Sequence, residues 1–440
     1  MRRSLVLAGL VAAGALAPCC AALAQGTEEE AYGAKFQATY VWQRKYPFGA
    51  AYTGTNSLIP EREKSYSLTA TAALGARPWS GGEVYLDPEV AQGVPLSHLT
   101  GLGGFTNGEI ARTTGPTATF YVARSFLRQT WGLGGEREAV ESDANQLAGS
   151  VERRRLVLSV GKLSLQDLLD DNAYSHDPRT QFLNWSLMTH GAWDFAADAR
   201  GYSFGAAIEY FDGPWALRAA RFMMPKQSNG LALNPRIFYS FGDQVELEHA
   251  HTLGGQAGKL RALAFRNQAD MGGYRDALAN AAAVGGTPDL ATSRQKRVKY
   301  GFGVNVEQSI AGDVGAFARA SWNNGESETF AFTEIDRSFS AGLLVRGAAW
   351  GRAADSLGVA VVRNGISGPH RDYLGAGGLG FFIGDGQLSY RTENIFETFY
   401  SLGAVKDVWV SLDFQRVFDP AYNADRGPVS VASARLHYGF

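Results

Sequence analysis

The chain has 440 residues, a formal net charge of -2 and two cysteines, so it is neither a basic nucleic-acid binder nor an acidic tail protein. Aromatic residues make up 12% of it, and glycines number 53 against 5 methionines. That is the usage of strands and turns rather than of helices.

The N-terminal "MRRSLVLAGLVAAGALAPCCAALAQG" sets Arg2 and Arg3 ahead of an apolar run that finishes at Ala22, Leu23 and Ala24. It reads as a secretory signal peptide, residues 1–24, with cleavage after Ala24 and residues 25–440 as one exported domain. A lipoprotein signal acylated at Cys19 is the alternative, although Pro18 stands where a small residue is expected. Both cysteines fall inside this segment, so the mature chain offers neither disulfides nor thiolate metal ligands. No later segment approaches the roughly 20 apolar residues of a membrane helix.

Alternating segments then recur to the end. "YSLTATAALG" sets Tyr66, Leu68, Ala70, Ala72 and Leu74 against Ser67, Thr69 and Thr71. "GYSFGAAIEYF" sets Tyr202, Phe204, Ala206, Ile208 and Tyr210 against Ser203, Gly205 and Glu209. "KYGFGVNVEQ" opposes Tyr300, Phe302, Val304 and Val306 to Asn305 and Glu307, and "DVWVSLDFQRV" opposes Val408, Val410, Leu412 and Phe414 to Ser411, Asp413 and Gln415. The final "VSVASARLHYGF" ends on Phe440 in mid-strand, with Tyr438 and Leu436 on its face and His437 and Arg435 on the other. A period of two with one apolar, aromatic-flanked face and one polar face is the pattern of strands in a lipid-facing barrel.

Connections alternate between compact turn signals ("RPWSGG", "FDGPW", "LGGQAGK", "AGDVG", "GRAADS", "GAVKD") and polar stretches at 44–64, 88–117, 163–200, 225–243, 270–297, 365–391 and 419–426. Short turns on one side and long loops on the other predict a transmembrane antiparallel β-barrel of about 16 strands in the outer membrane of a Gram-negative bacterium, 14 or 18 being the other counts. A soluble sandwich array or propeller is the competing all-β fold, against which stands the absence of a repeat period. "GGEREAVESDANQLAGSVERRR" falls where a short turn belongs. The last strand is expected to close the barrel on the first, "AKFQATYVW". Tyr438 and Phe440 then form a terminal signal for the barrel assembly machinery, a role that such endings imply in barrel proteins.

Three blocks carry a family resemblance: "GKLSLQDLLDDNAYSHDPRTQFLNWSLMTHGAWDFAADARGYSFGAAIEYFDGPWALR", "RNGISGPHRDYLGAGGLGFFIGDGQLSYRTENIFETFYSL" and "DFQRVFDPAYNADRGPVSVASARLHYGF". In them the chain resembles the carbohydrate-selective porins of the OprB type, collinearly over most of its mature length. It departs from the better-known glucose porins before about Ser150. The resemblance implies a 16-stranded barrel through which sugars diffuse down a gradient, with no cofactor and no catalysis.

A sugar channel needs charged hydrogen-bonding side chains beside aromatic rings. Arg124 and Arg128 share a face in "FYVARSFLRQTW", Arg346, Arg435 and His437 project from later strands, and Glu209, Glu246, Glu248, Glu307, Glu397 and Asp413 supply acceptors. Opposed basic and acidic rings would set a transverse field; otherwise these side chains merely line a wet lumen. "DLLDDNAYSHDPRTQFLN" concentrates Asp167, Asp170, Asp171 and Asp177 with Arg179, Tyr174 and Phe182. It is either a loop folded inward to constrict the channel or an exposed acidic loop that binds a divalent ion. The G-x-S-x-G match at Ser203 opens an alternating strand, not a strand-to-helix elbow, and no enzyme is expected. His249 and His251 share a strand face and are either interfacial or a metal pair.

The function expected is passive uptake of mono- or oligosaccharides. A general, anion or small-organic-acid porin and a closed-lumen adhesin or structural barrel are the alternatives. Expected partners are sugar solutes, outer-membrane lipid and lipopolysaccharide, and the assembly machinery, with no nucleic acid and a monomer or homotrimer as the assembly.

Overall fold

The computed structural model describes residues 29–110, 115–332 and 334–440; the signal peptide and its cleavage site lie outside them. The strands in chain order are β1 (Tyr32–Lys45), β2 (Glu63–Trp79), β3 (Gly82–Val94), β4 (Thr119–Gly132), β5 (Arg137–Val140), β6 (Gly149–Glu152), β7 (Arg155–Leu163), β8 (Ser203–Asp212) and β9 (Trp215–Met223). They continue as β10 (Phe241–Leu253), β11 (Gln256–Met271), β12 (Gln295–Ala311), β13 (Val314–Asn323), β14 (Arg337–Arg346), β15 (Ser356–Gly365), β16 (Glu393–Val405), β17 (Val408–Phe418) and β18 (Val429–Gly439). All but β5 and β6 pair antiparallel with their neighbours in a closed barrel of 16 strands.

The seam joins the two ends of the chain, with Tyr40 opposite Leu436 and Trp42 opposite Ala434. Phe36 and Phe440 exchange backbone hydrogen bonds at 3.2 and 3.0 Å, so the terminal residue completes the ladder and no sheet edge remains for lipid to meet. Alternation follows the pattern read from the sequence. Val245, Leu247, Val304, Leu343, Val361 and Leu412 are exposed on the outer face, and Ser67, Thr69, Asn305, Ser411, Asp413 and Gln415 are buried on the inner one. Exposed Phe120, Phe204, Phe339 and Phe418 lie near the loop end of their strands, and Trp79, Trp131 and Trp215 near the turn end. These are the two aromatic girdles of a membrane barrel.

Eight connections at one end are long: 46–62, 95–118, 164–202, 224–240, 272–294, 324–336, 366–392 and 419–428. The sixth, within "NNGESETFAFTEID", is absent from the sequence prediction. The second begins later than predicted: the strand continues past Pro88 through a register shift at Asp87/Pro88, since a bulge lets proline sit where no ladder donor is needed.

The third and longest loop, 164–202, turns into the lumen. Its apolar side chains Phe182, Trp185, Leu187, Trp193 and Phe195 form one cluster with Phe105, Phe330, Phe332, Phe382 and Ile383 from other loops. A buried loop leaves backbone N–H groups without water, and carboxylates accept them. Glu246 accepts from Asp170 N at 2.7 Å, Glu307 from Ala173 N at 2.8 Å, and Glu397 from Asn184 N at 3.0 Å. Glu393 accepts from Gly103 and Gly104 N at 2.9 and 2.7 Å. The inner faces of β10 to β16 thus hold folded loop instead of water.

Candidate functional site

What the loops leave open is a cavity of about 800 Å³ along the inner faces of β1 to β4. At the loop end it is bordered by Phe105, Trp185, Phe195, Phe332 and Phe382, and at the turn end by Lys35, Trp409 and Phe440. Trp185 stacks on Phe332 with centroids 4.8 Å apart, Phe195 on Phe332 at 4.6 Å, and Phe105 meets Phe382 edge-on at 4.8 Å. All five rings are at most 9% exposed, so they bound the cavity as one packed apolar wall.

Midway, charged groups line the cavity. Asp167 is placed by the first turn of the third loop, where it accepts from Ser164 N at 3.0 Å in a capping box. Arg124 then grips it with two donors, Nε to Oδ2 at 2.7 Å and Nη2 to Oδ1 at 2.6 Å. The same guanidinium lies 3.4 Å from Asp87 and over the Tyr202 ring at 5.2 Å. Arg179 Nε donates to Glu109 at 3.0 Å. Burial pushes the Glu109 carboxyl up, and Arg179 opposes it. Glu89 accepts from the Thr71 hydroxyl at 2.7 Å and from the Tyr121 phenol, and Arg200 lies over the Tyr121 ring at 4.2 Å.

Of the residues expected at the pore, Arg124, Arg128, Asp167, Asp177, Arg179 and His437 line the cavity. The others do not. Asp170 is buried beneath the loop, accepting from the Thr189 hydroxyl and His190 N at 2.7 Å each and from Arg319 Nε at 3.0 Å. Asp171 is largely exposed, 3.6 Å from Arg261. Glu209 is paired with Arg218 at 2.9 Å on the far wall. Arg346 lies exposed at the turn end. Asp413 is buried, accepting from Gln415 Nε2 at 3.2 Å. Arg435, also buried, donates to the Pro178 and Gln181 carbonyls at 2.6 and 2.8 Å and to Ser411 at 3.1 Å. Opposed charge rings are replaced by neighbouring ion pairs: Asp167 of the third loop comes to Arg124 of β4, Arg179 and Glu109 meet from two loops, and Glu209 and Arg218 from adjacent strands.

Burial by itself would raise the Asp170 carboxyl; Arg319, His190 and the hydrogen bonds outweigh it and hold the group at about 2. His190, 3.3 Å from Asp170, is held down to about 4 because burial and Arg319 disfavour a second cation more than Asp170 favours it.

Glu89, Glu109, Tyr121, Tyr202 and the five entrance aromatics were not read as site residues. Tyr121 is out of phase with Arg124 in a strict alternation; the register shift opposite Asp87 and Pro88 brings both inward, facing Glu89 and Asp87 respectively. Tyr202, assigned to the apolar face of a strand, precedes β8 and is buried at the cavity. The aromatic-rich "NWSLMTHGAWDF" was the available signal for Trp185 and Phe195. Ser203 donates to the Met223 carbonyl at 2.7 Å within the strand pair. His249 packs against Trp215 in a tilted pair with centroids 4.2 Å apart, and the His251 ring is 6.2 Å from that of His249, on the side of the strand that carries Val245 and Leu247.

A closed 16-stranded barrel, belted by aromatic girdles and narrowed by an inward loop, defines an outer-membrane channel of the porin class. The model of the carbohydrate-selective porins, OprB family, matches residues 64–440, and the chain belongs to that family. It is therefore a carbohydrate-selective porin and not an enzyme. The structure of OprB from Pseudomonas putida is similar at a TM-score of 0.71 and 15% identity, over 93% of this chain and 94% of that one. The outer membrane channel DcaP of Acinetobacter baumannii reaches a TM-score of 0.48 at 9% identity, over 95% and 100% of the two chains. Among curated proteins none matches the chain by sequence.

Proposed function

We propose that neutral mono- and oligosaccharides diffuse passively along the β1 to β4 wall, over the aromatic entrance and past the Arg124–Asp167 and Arg179–Glu109 pairs. The observation that carries this reading is the union of stacked rings with internally neutralised charges in one 800 Å³ passage. Paired charges present donors and acceptors to hydroxyl groups while offering little net field to a passing ion. Sugar binding there stays weak enough to release, since each hydroxyl exchanges water for protein at a net gain of about 1 kcal/mol or less.

Single-channel conductance of the refolded mature protein in a planar bilayer, titrated with glucose, disaccharides and longer oligosaccharides, tests this. Saturable closure of the current by sugar is the expected result. Current steps indifferent to every sugar would reassign the channel to general or anion diffusion, and absence of steps would favour a closed-lumen barrel.

Export begins, on this reading, with cleavage after Ala24, and the barrel sits in the outer membrane among lipopolysaccharide as a monomer or homotrimer. Assembly uses the terminal Tyr438 and Phe440, which pack on Phe36 at 6.2 and 6.1 Å. Deletion of Phe440 is expected to lower the fraction of heat-modifiable, folded protein in outer-membrane preparations; an undiminished fraction would remove the signal from the terminus.

A further inference from the structure

The connection between β4 and β7 breaks the rule of short turns at this end of the barrel. Residues 133–154 form a hairpin, β5 paired with β6, that folds back into the mouth of the lumen. Leu147 is buried there in a notch whose depth depends on glycine. A Cβ on Gly33 would stand 2.8 Å from its Cδ2, and one on Gly75 would stand 2.7 Å from the Tyr85 ring that borders it. The backbone is clamped on both sides: Leu147 N donates to Tyr85 Oη at 3.2 Å, Ala148 N to Glu30 at 2.7 Å, and Glu30 N to the Ala148 carbonyl at 3.0 Å.

The seat fixes the tip beside the channel. Asp143 and Gln146 exchange backbone hydrogen bonds at 2.9 and 3.1 Å, and Asn145 between them takes a left-handed φ of 58° that asparagine tolerates well. Its carbonyl accepts from Arg128 Nη1 at 2.8 Å, and its Nδ2 donates to Asp87 Oδ2 at 2.9 Å. Two acceptors remain. Asn145 Oδ1 and Asp87 Oδ1 are buried with no partner among the described residues, as is the donor Gln166 Nε2, and all three side chains line the cavity. Buried polar atoms without partners cost free energy unless something completes them.

We propose that the hairpin tip builds a second solute subsite on the periplasmic side of the Arg124–Asp167 pair. Asn145 Oδ1 and Asp87 Oδ1 there accept hydroxyl protons of a neutral polyhydroxylated solute, and Gln166 Nε2 donates to a solute oxygen. The inference rests on the sugar-channel reading and deepens it. A solute leaving the central pairs is handed to these acceptors before it reaches the periplasm, so two weak sites in series replace one tight one.

The test is the sugar concentration that half-blocks the single-channel current, measured on the full mature chain. Three proteins are compared: wild type, Asn145→Ala, and a variant with residues 134–153 replaced by two glycines. Loss of one or two hydroxyl contacts is expected to raise the half-blocking concentration about fivefold in Asn145→Ala. In the hairpin replacement it should rise at least as much, with larger open-channel current. Unchanged half-block in Asn145→Ala and in the replacement, beside a wild type that sugar does block, would overturn the subsite and leave the sugar channel standing. A wild type indifferent to sugar would overturn both.

Discussion

The two walls of the barrel interior carry the same alternation of polar residues and put it to opposite uses. On β2 to β4, Thr71, Asp87, Glu89, Tyr121, Arg124 and Arg128 line the cavity. On β10 to β18, Glu246, Glu307, Arg319, Glu393, Glu397, Gln415 and Arg435 are buried and hold loop backbone. Charge on the inner face is therefore no mark of a pore residue in itself. A wide barrel becomes a selective one by spending one wall on anchoring its own loops. The anchors are acidic because loop backbone donates N–H groups, and arginines enter where loop carbonyls or the Asp170 carboxylate need a partner.

Breaking an anchor should change the channel most. Arg319→Ala leaves Asp170 buried beside only His190 and neutral donors, a loss of about 3–5 kcal/mol in the hold on the third loop. Open-channel conductance is expected to rise several-fold and sugar block to disappear, while heat-modifiability shows an intact barrel. Unaltered conductance would show that the anchored wall does not set the bore.

The lining wall is expected to respond differently, with affinity or selectivity altered and the loop still in place. Arg124→Ala combined with Arg128→Ala leaves Asp87 and Asp167 uncompensated, so cation selectivity should rise, read as a shift in reversal potential under a salt gradient. An unchanged reversal potential would take both arginines out of the conducting path.

Acidification offers the smallest effect. His190 binds a proton at about 4 in the folded loop against 6.5 when free, so the unfolded loop takes up protons first. Its contribution to anchoring is complete above pH 6.5 and is lost as the pH falls toward 4. Asp170, held at about 2, adds to this loss only below about pH 4. Current noise from loop movement is expected to grow between pH 6.5 and 4.5, and His190→Gln should abolish that dependence.

Local chemistry determined much of this protein. Period-two alternation, the asymmetry of turns and loops and an aromatic final strand were enough for the barrel, its seam and its lipid-facing side, because every strand must satisfy the bilayer separately. The inward third loop was also foreshadowed, by acids, amides and aromatics crowded between two strands. Alternation likewise put Arg124 and Arg128 on one face, and their charge marked it as the inner one. Asp413 and Arg435 do lie on the inner face, but there, as at Asp170 in the loop, inward charge meets folded loop and not water, and a register shift brings Tyr121 inward as well.

Only the tertiary structure decided which wall stays open, which ions pair and what the surplus hairpin at 133–154 does. Those outcomes depend on contacts between residues far apart in the chain, such as Arg319 with Asp170, Glu109 with Arg179 and Asn145 with Asp87. No local periodicity records them, since the partner of each charge is chosen when loops from different strands pack together inside the closed barrel.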